Sequence, residues 1–247
     1  MTPINGLATY PDYGNTGTNQ AQPDIDNTEL ATRLGSEFTF FRSGKVIYLD
    51  DCINLWAWSV TPFTTYANPV IYPSTPHGVA IHINPPHPDY VYLTRYIPIQ
   101  EYNTIGLSAL AIPYNLPGNA CPITFTIAFY TGTYEYLYQV SIQSQTGQVY
   151  INNGGNILVV YTITPFAPSA GNMPVIIKLV IDKTNLRYYK LFIGDQIIDL
   201  QAYSPQIVSI SFIPIIAIQI SANASAAQPA ATDEWYISDI IITSDEP

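Results

Sequence analysis

Between Ile123 and Tyr130 the chain alternates. Ile123, Phe125, Ile127 and Phe129 are separated by Thr124, Thr126 and Ala128. This period of two gives an extended, pleated chain one apolar face and one wetted face. The next segment repeats it, with Tyr134, Tyr136, Tyr138, Val140 and Ile142 on one side and Glu135, Gln139 and Ser141 on the other. Thr131-Gly132-Thr133 between them is turn chemistry. Turns at Thr146-Gly147 and at Asn152-Asn153-Gly154-Gly155 bracket a strand at 148–151. Further strands are predicted at 156–163, 174–181, 186–193, 196–200, 206–220 and 234–243. Upstream, Ser43-Gly44 predicts a hairpin joining 38–42 to 45–49, and strands follow at 78–83, 90–97 and 106–113. Pro62, Pro69, Pro73, Pro76, Pro85, Pro86 and Pro88 mark loops and short edge strands. With almost no helical period in the chain, the pattern specifies an all-β, antiparallel β-sandwich of jelly-roll type.

Residues 1–37 read differently. Thr2-Pro3-Ile4-Asn5-Gly6 and Pro11-Asp12-Tyr13-Gly14-Asn15-Thr16-Gly17 carry turn residues without periodicity. They predict an extended polar N-terminal arm. A short helix follows, capped by Asp26 or Asn27 and ended near Gly35. The sandwich domain is placed at 38–247, and the arm is expected to lie against a neighbouring subunit.

Composition narrows the function. Charged residues are 11% of the 247, against about 25% in ordinary globular domains. Eight Lys and Arg face 18 Asp and Glu, a net charge of −10. Such a chain has no basic patch for a phosphate backbone, so nucleic acid is not an expected partner. The apolar run 207–220 is interrupted by Ser209, Ser211, Pro214 and Gln219 and is too short to cross a bilayer as a helix, so no membrane insertion is expected. The first 20 residues lack the basic and apolar regions of a secretory signal, which predicts synthesis in the cytoplasm. The remaining reading is a neutral polar exterior rich in Tyr, Thr, Ser and Asn, suited to contact with other surfaces at low entropic cost. Abundant Ile, Tyr and Pro with two Met fit a hot-environment source.

The ending Trp235-Tyr236-Ile237-Ser238-Asp239-Ile240-Ile241-Ile242 resembles the last strand of concanavalin A-like, laminin-G-type jelly rolls. The succession Val175-Ile176-Ile177-Lys178-Leu179-Val180-Ile181-Asp182, turn, Tyr188-Tyr189-Lys190-Leu191-Phe192-Ile193-Gly194-Asp195 is similar to the strand order of that fold. The likeness covers roughly residues 45–243. The segment from Leu30-Ala31-Thr32-Arg33-Leu34-Gly35 to Val46-Ile47-Tyr48-Leu49-Asp50-Asp51 is similar to the start of virion-associated surface proteins of thermophile viruses. That likeness implies a surface or decoration role.

Little in the chain points to catalysis. The Glu-x-Asp-x-x-Glu strand of the glucanases that share this fold is absent, and glycoside hydrolysis needs two carboxylates facing across a cleft. No Gly-x-Ser-x-Gly elbow, phosphate-cradling loop or zinc spacing occurs. His77, His82 and His87 fall in a proline-rich stretch at steps that alternate faces, which reads as a loop with incidental histidines. Cys52 and Cys121 fit either a single disulfide or two buried thiols. Asp50-Asp51 is the pair weighed for calcium, and Asn223-Ala224-Ser225 is a sequon in a predicted loop at 221–232. Sugar rings stack on exposed aromatics, so Trp56 and Trp58, on one face of a strand, are the candidate glycan-binding residues. Trp235 is expected to be packed. No catalytic residue, metal or cofactor is assigned. The expected function is a non-enzymatic virion structural protein at the particle surface, with copies of itself and other virion proteins as partners. The alternative is an extracellular, lectin-like module that recognises cell-surface glycans.

Overall fold

The computed structural model describes residues 45–50, 58–62, 70–75, 78–83, 90–98, 102–114, 122–143, 146–163, 175–223 and 234–246. The predicted arm at 1–37, its helix and the strand at 38–42 lie outside them. The described residues form sixteen strands and no helix. In chain order these are β1 (Lys45–Asp50), β2 (Ser59–Pro62), β3 (Val70–Thr75), β4 (Gly78–Ile83), β5 (Tyr90–Ile97), β6 (Thr104–Tyr114), β7 (Pro122–Tyr130) and β8 (Tyr134–Gln143). There follow β9 (Gln148–Asn153), β10 (Asn156–Thr162), β11 (Val175–Asp182), β12 (Arg187–Ile193), β13 (Gln196–Asp199), β14 (Gln206–Ser209), β15 (Ile215–Asn223) and β16 (Glu234–Ser244).

They make two eight-stranded antiparallel sheets. The first runs β13-β12-β11-β6-β16-β4-β3, with β1 also on β16. The second runs β10-β9-β8-β7-β15-β5-β2, with β14 also on β8. The alternation read from sequence becomes the core: Phe125, Ile127, Val140, Ile142, Ile218 and Ile220 of the second sheet meet Leu107, Leu179, Leu191, Ile237 and Ile242 of the first. The tyrosine row of β8 enters that core gradually, from exposed Tyr134 through Tyr136 to fully buried Tyr138. Trp235 is buried with it.

Each sheet contains a strand that changes partner halfway, and each change is marked. β16 pairs with β4 at Trp235–Ile237 and with β1 from Ile240 onward. Between them its register on β6 shifts at Ser238–Ile241, and Asp239 takes φ +48°, the local kink of a bulge. In the second sheet β8 pairs with β14 up to Leu137 and with β9 from Val140. The orphaned Gln139 N–H in that gap donates to the Tyr188 hydroxyl across the core at 2.8 Å. The Tyr188 hydroxyl in turn donates to the Asn152 carbonyl oxygen at 2.8 Å.

One expected strand divides. The run 206–220 forms β14 and β15, which occupy different places in the second sheet. Pro214 cannot donate to a ladder. The intervening backbone instead turns on the β7–β8 connection, where the Ile210 and Phe212 N–H groups reach the Thr133 and Gly132 carbonyls. The sequon expectation also changes, because Ser221, Ala222 and Asn223 belong to β15 rather than to a loop. The proline-rich stretch does carry short terminal strands: β2 ends in Pro62 and β3 contains Pro73.

Candidate functional site

Strand alternation leaves the second sheet with an outward face, and register aligns its polar residues into rows. One row crosses Tyr92 of β5, Ser221 of β15, Thr124 of β7, Ser141 of β8 and Tyr150 of β9. Every member carries a hydroxyl. The adjacent row crosses Ser59, Thr94, Gln219, Thr126 and Gln139. A third places Ala217 and Ala128 between Tyr96 and Leu137, so two small residues lie beside a tyrosine that is 49% exposed.

Much of the first two rows is cross-linked. The Gln219 amide donates to Thr94 Oγ1 at 3.1 Å, and the Thr124 and Ser141 hydroxyls are 2.7 Å apart. The Asn152 amide donates to Gln139 Oε1 at 3.1 Å and to Gln206 Oε1 at 2.7 Å. Tyr150 donates to Gln148 Oε1 at 2.5 Å. The exception is central. Thr126 Oγ1, buried between Gln219 and Gln139, has no hydrogen-bond partner among the protein groups. Fixed amides and hydroxyls present both donors and acceptors without charge, the pairing chemistry of a polyol.

Glu135 is the only carboxylate in the eight strands of this sheet. It accepts from the Tyr130 hydroxyl at 2.9 Å. Burial, reinforced by the bond to Glu135, holds that hydroxyl well above the usual phenol range. A face with one carboxylate lacks the opposed acid pair of a glycosidase among its described strands. The only cation in these strands, Arg95, is on the inner-facing register of β5, over the Tyr48 ring at 4.6 Å.

The structure places Trp58 elsewhere than on this face. Trp58 is 6% exposed and belongs to the core, and its indole N–H donates to Asp50 Oδ2 at 2.7 Å. The ring face that stacking would need is therefore covered, and Trp58 is a strut between β1 of one sheet and the start of β2 of the other. Trp56 lies outside the described residues. Tyr48 also donates to Asp50 Oδ2, at 2.6 Å. The Asp50 oxygen weighed for calcium is thus already hydrogen-bonded twice. Asp51, Cys52, Cys121, His77 and His87 lie outside the described residues, and His82 sits on β4 opposite Tyr236. Among the described residues no three ligand-type side chains come together to hold a metal. The alternation named Thr124, Thr126, Gln139 and Ser141 as polar positions. What sequence alone lacked was the register that puts Tyr92, Thr94, Tyr96 and Gln219 beside them.

No family model matches this chain, and no curated protein does. Solved structures with the same fold are found. One is a conserved carbohydrate esterase from the Shiga toxin-encoding bacteriophage phi24B, 12% identical, covering 82% of this chain and 100% of that one with a TM-score of 0.53. Another is the metal-free form of lectin I-B4 from Griffonia simplicifolia, 12% identical, covering 80% of this chain and 98% of that one with a TM-score of 0.51. At this identity the likeness is one of fold: a lectin-type jelly-roll sandwich.

Proposed function

We propose that the chain binds an uncharged glycan on the outer face of its second sheet and does not cleave it. The observation that carries this reading is the pair of register-aligned rows, hydroxyls and amides across successive strands with a single, already bonded carboxylate. Tyr96 supplies a stacking surface beside Ala217 and Ala128, and the rows supply donors and acceptors. The only cation of the sheet's strands being on the inner register disfavours sialylated or sulfated sugars. The fold shared with a lectin and with a carbohydrate esterase is compatible with this reading. A glycan array tests it: neutral oligosaccharides are retained, and Tyr96→Ala together with Gln139→Ala reduces retention at least tenfold with unchanged folding. Retention confined to acidic glycans, or unaffected by both substitutions, counts against it, as does release of reducing sugar on prolonged incubation.

A second reading, favoured by the 11% charge content and 20 tyrosines, sets this module on the outside of a virion. Immunogold labelling of purified particles with an antibody to the chain decorates their exterior if so. Label found only on host material rejects that placement.

A further inference from the structure

The ends of a β-sheet present unpaired backbone groups, and proteins protect them with proline, charge or brevity. Six described strands have a partner on one side only, and five are protected in these ways. β2 ends in Pro62, β3 contains Pro73, β1 carries Lys45 and Asp50, β14 is four residues long, and β13 is four residues long with exposed Asp199. The sixth, β10, is different. It runs seven residues, Asn-Ile-Leu-Val-Val-Tyr-Thr, with no proline and no charge. Its one irregularity is a register shift between Val159 and Tyr161, which leaves Asn156–Val159 regular against β9. Four of its five apolar side chains face solvent: Ile157 is 74% exposed, Val159 52%, and Leu158 and Tyr161 more than a third. The Tyr161 hydroxyl lies 3.4 Å from Gln196 Oε1, so the end of β10 sits beside β13 of the other sheet.

We propose that β10 is a self-association edge, pairing antiparallel with β10 of a second copy across a two-fold axis. The occupant is argued from charge and from geometry. Copies carrying −10 each repel one another, but β9 and β10 together contain no charged side chain. The seam therefore meets without contact between like charges. Antiparallel pairing about a two-fold axis is self-complementary and closes, giving a dimer rather than a filament. A stable interface covers about 800 Å² per partner with an apolar centre. Ile157, Leu158, Val159 and Tyr161 supply that centre, and pairing extends the second sheet through both protomers.

Sedimentation equilibrium of the full chain tests this. The chain dimerises with a micromolar dissociation constant, and Ile157→Lys or Val159→Lys raises that constant at least tenfold without changing the thermal midpoint measured on dilute monomer, since both side chains are exposed. Ile213→Lys is the control. It alters an equally exposed residue beyond the opposite end of β8 and leaves the dimer intact. Hydrogen exchange supplies a second readout, with amides of Asn156–Val159 slowing as dimer forms. A monomer at every concentration reached, an Ile213→Lys variant that dissociates as readily as Ile157→Lys, or β10 amides that exchange equally fast in monomer and dimer each overturns the proposal.

Discussion

Tyr138 and Tyr188 are neighbours in the core, with ring centroids 5.3 Å apart and nearly perpendicular, yet their hydroxyls do opposite things. The Tyr188 oxygen accepts the Gln139 N–H and faces the Asn152 carbonyl, repairing the gap where β8 changes partner. The Tyr138 oxygen is buried with no hydrogen-bond partner. Tyr188→Phe thus leaves buried backbone groups unpaired and costs about 1–3 kcal/mol. Tyr138→Phe removes a polar atom that burial already penalises, and is neutral or slightly stabilising. Urea unfolding separates the two: the Tyr188→Phe midpoint falls with an unchanged slope, and the Tyr138→Phe midpoint stays or rises. Equal losses from both variants contradict the assignment. Alternation put Tyr138 on the core face in the sequence. The role of Tyr188 was not legible there, because its partners lie 49 and 36 residues away and depend on where β8 loses one neighbour and gains another.

At the level of elements, β6, β11 and β16 share an outward feature that their patterns do not announce. Lys178 interrupts the apolar run Val175–Ile181 of β11. In the structure it is 1% exposed, and its ammonium meets Glu246 at 2.7 Å, with both side chains buried. Thr243 Oγ1 also donates to Glu246. Gly106 makes room for the cluster, since a Cβ there would fall 2.5 Å from Thr243 Oγ1 and 2.8 Å from Glu246 Oε1. The segment after β16 is held by Asp245 N–H to the Thr104 carbonyl and Thr104 Oγ1 to the Glu246 carbonyl. Removing one charge strands the other, so Lys178→Met or Glu246→Leu alone destabilises by about 3–5 kcal/mol. Lys178→Met with Glu246→Leu recovers most of that loss. Chemical denaturation of the two single variants and the pair measures the coupling, and simple additivity contradicts it. Strand positions themselves were largely legible: β4 and β5 coincide with the residues predicted for them. The division into β14 and β15 was hidden because Ile207, Ile210, Phe212 and Ile213 look like core in a linear pattern and are exposed in the fold.

For the molecule as a whole, the period-two pattern was enough to specify two antiparallel sheets around one core, because alternation fixes which face is buried. It could not fix the order of strands, and the candidate face exists only through that order. The same burial that makes the core gives the chain a characteristic response to alkali. Burial pushes the hydroxyls of Tyr138 and Tyr188 well above the usual phenol range. Repulsion by Tyr188, once ionised, and by the Asp182 carboxylate adds to the effect at Tyr138, and the bond from the Gln139 N–H partly offsets it at Tyr188. In the unfolded chain both ionise near pH 10. Below that pH both states hold the protons, so the full stabilisation is present. Above it the unfolded state releases protons that the native state keeps, and stability declines steadily as pH rises. Thermal midpoints measured from about pH 8 to about pH 11 therefore hold level and then fall once pH exceeds about 10. Tyrosinate absorbance shows these two rings ionising only with unfolding. Tyr188→Phe, with one such proton fewer, starts from a lower midpoint and falls less steeply. A midpoint indifferent to pH across that range, or tyrosinate appearing from all tyrosines while the sheets stay intact, means the phenols are not held in a dry core between the sheets.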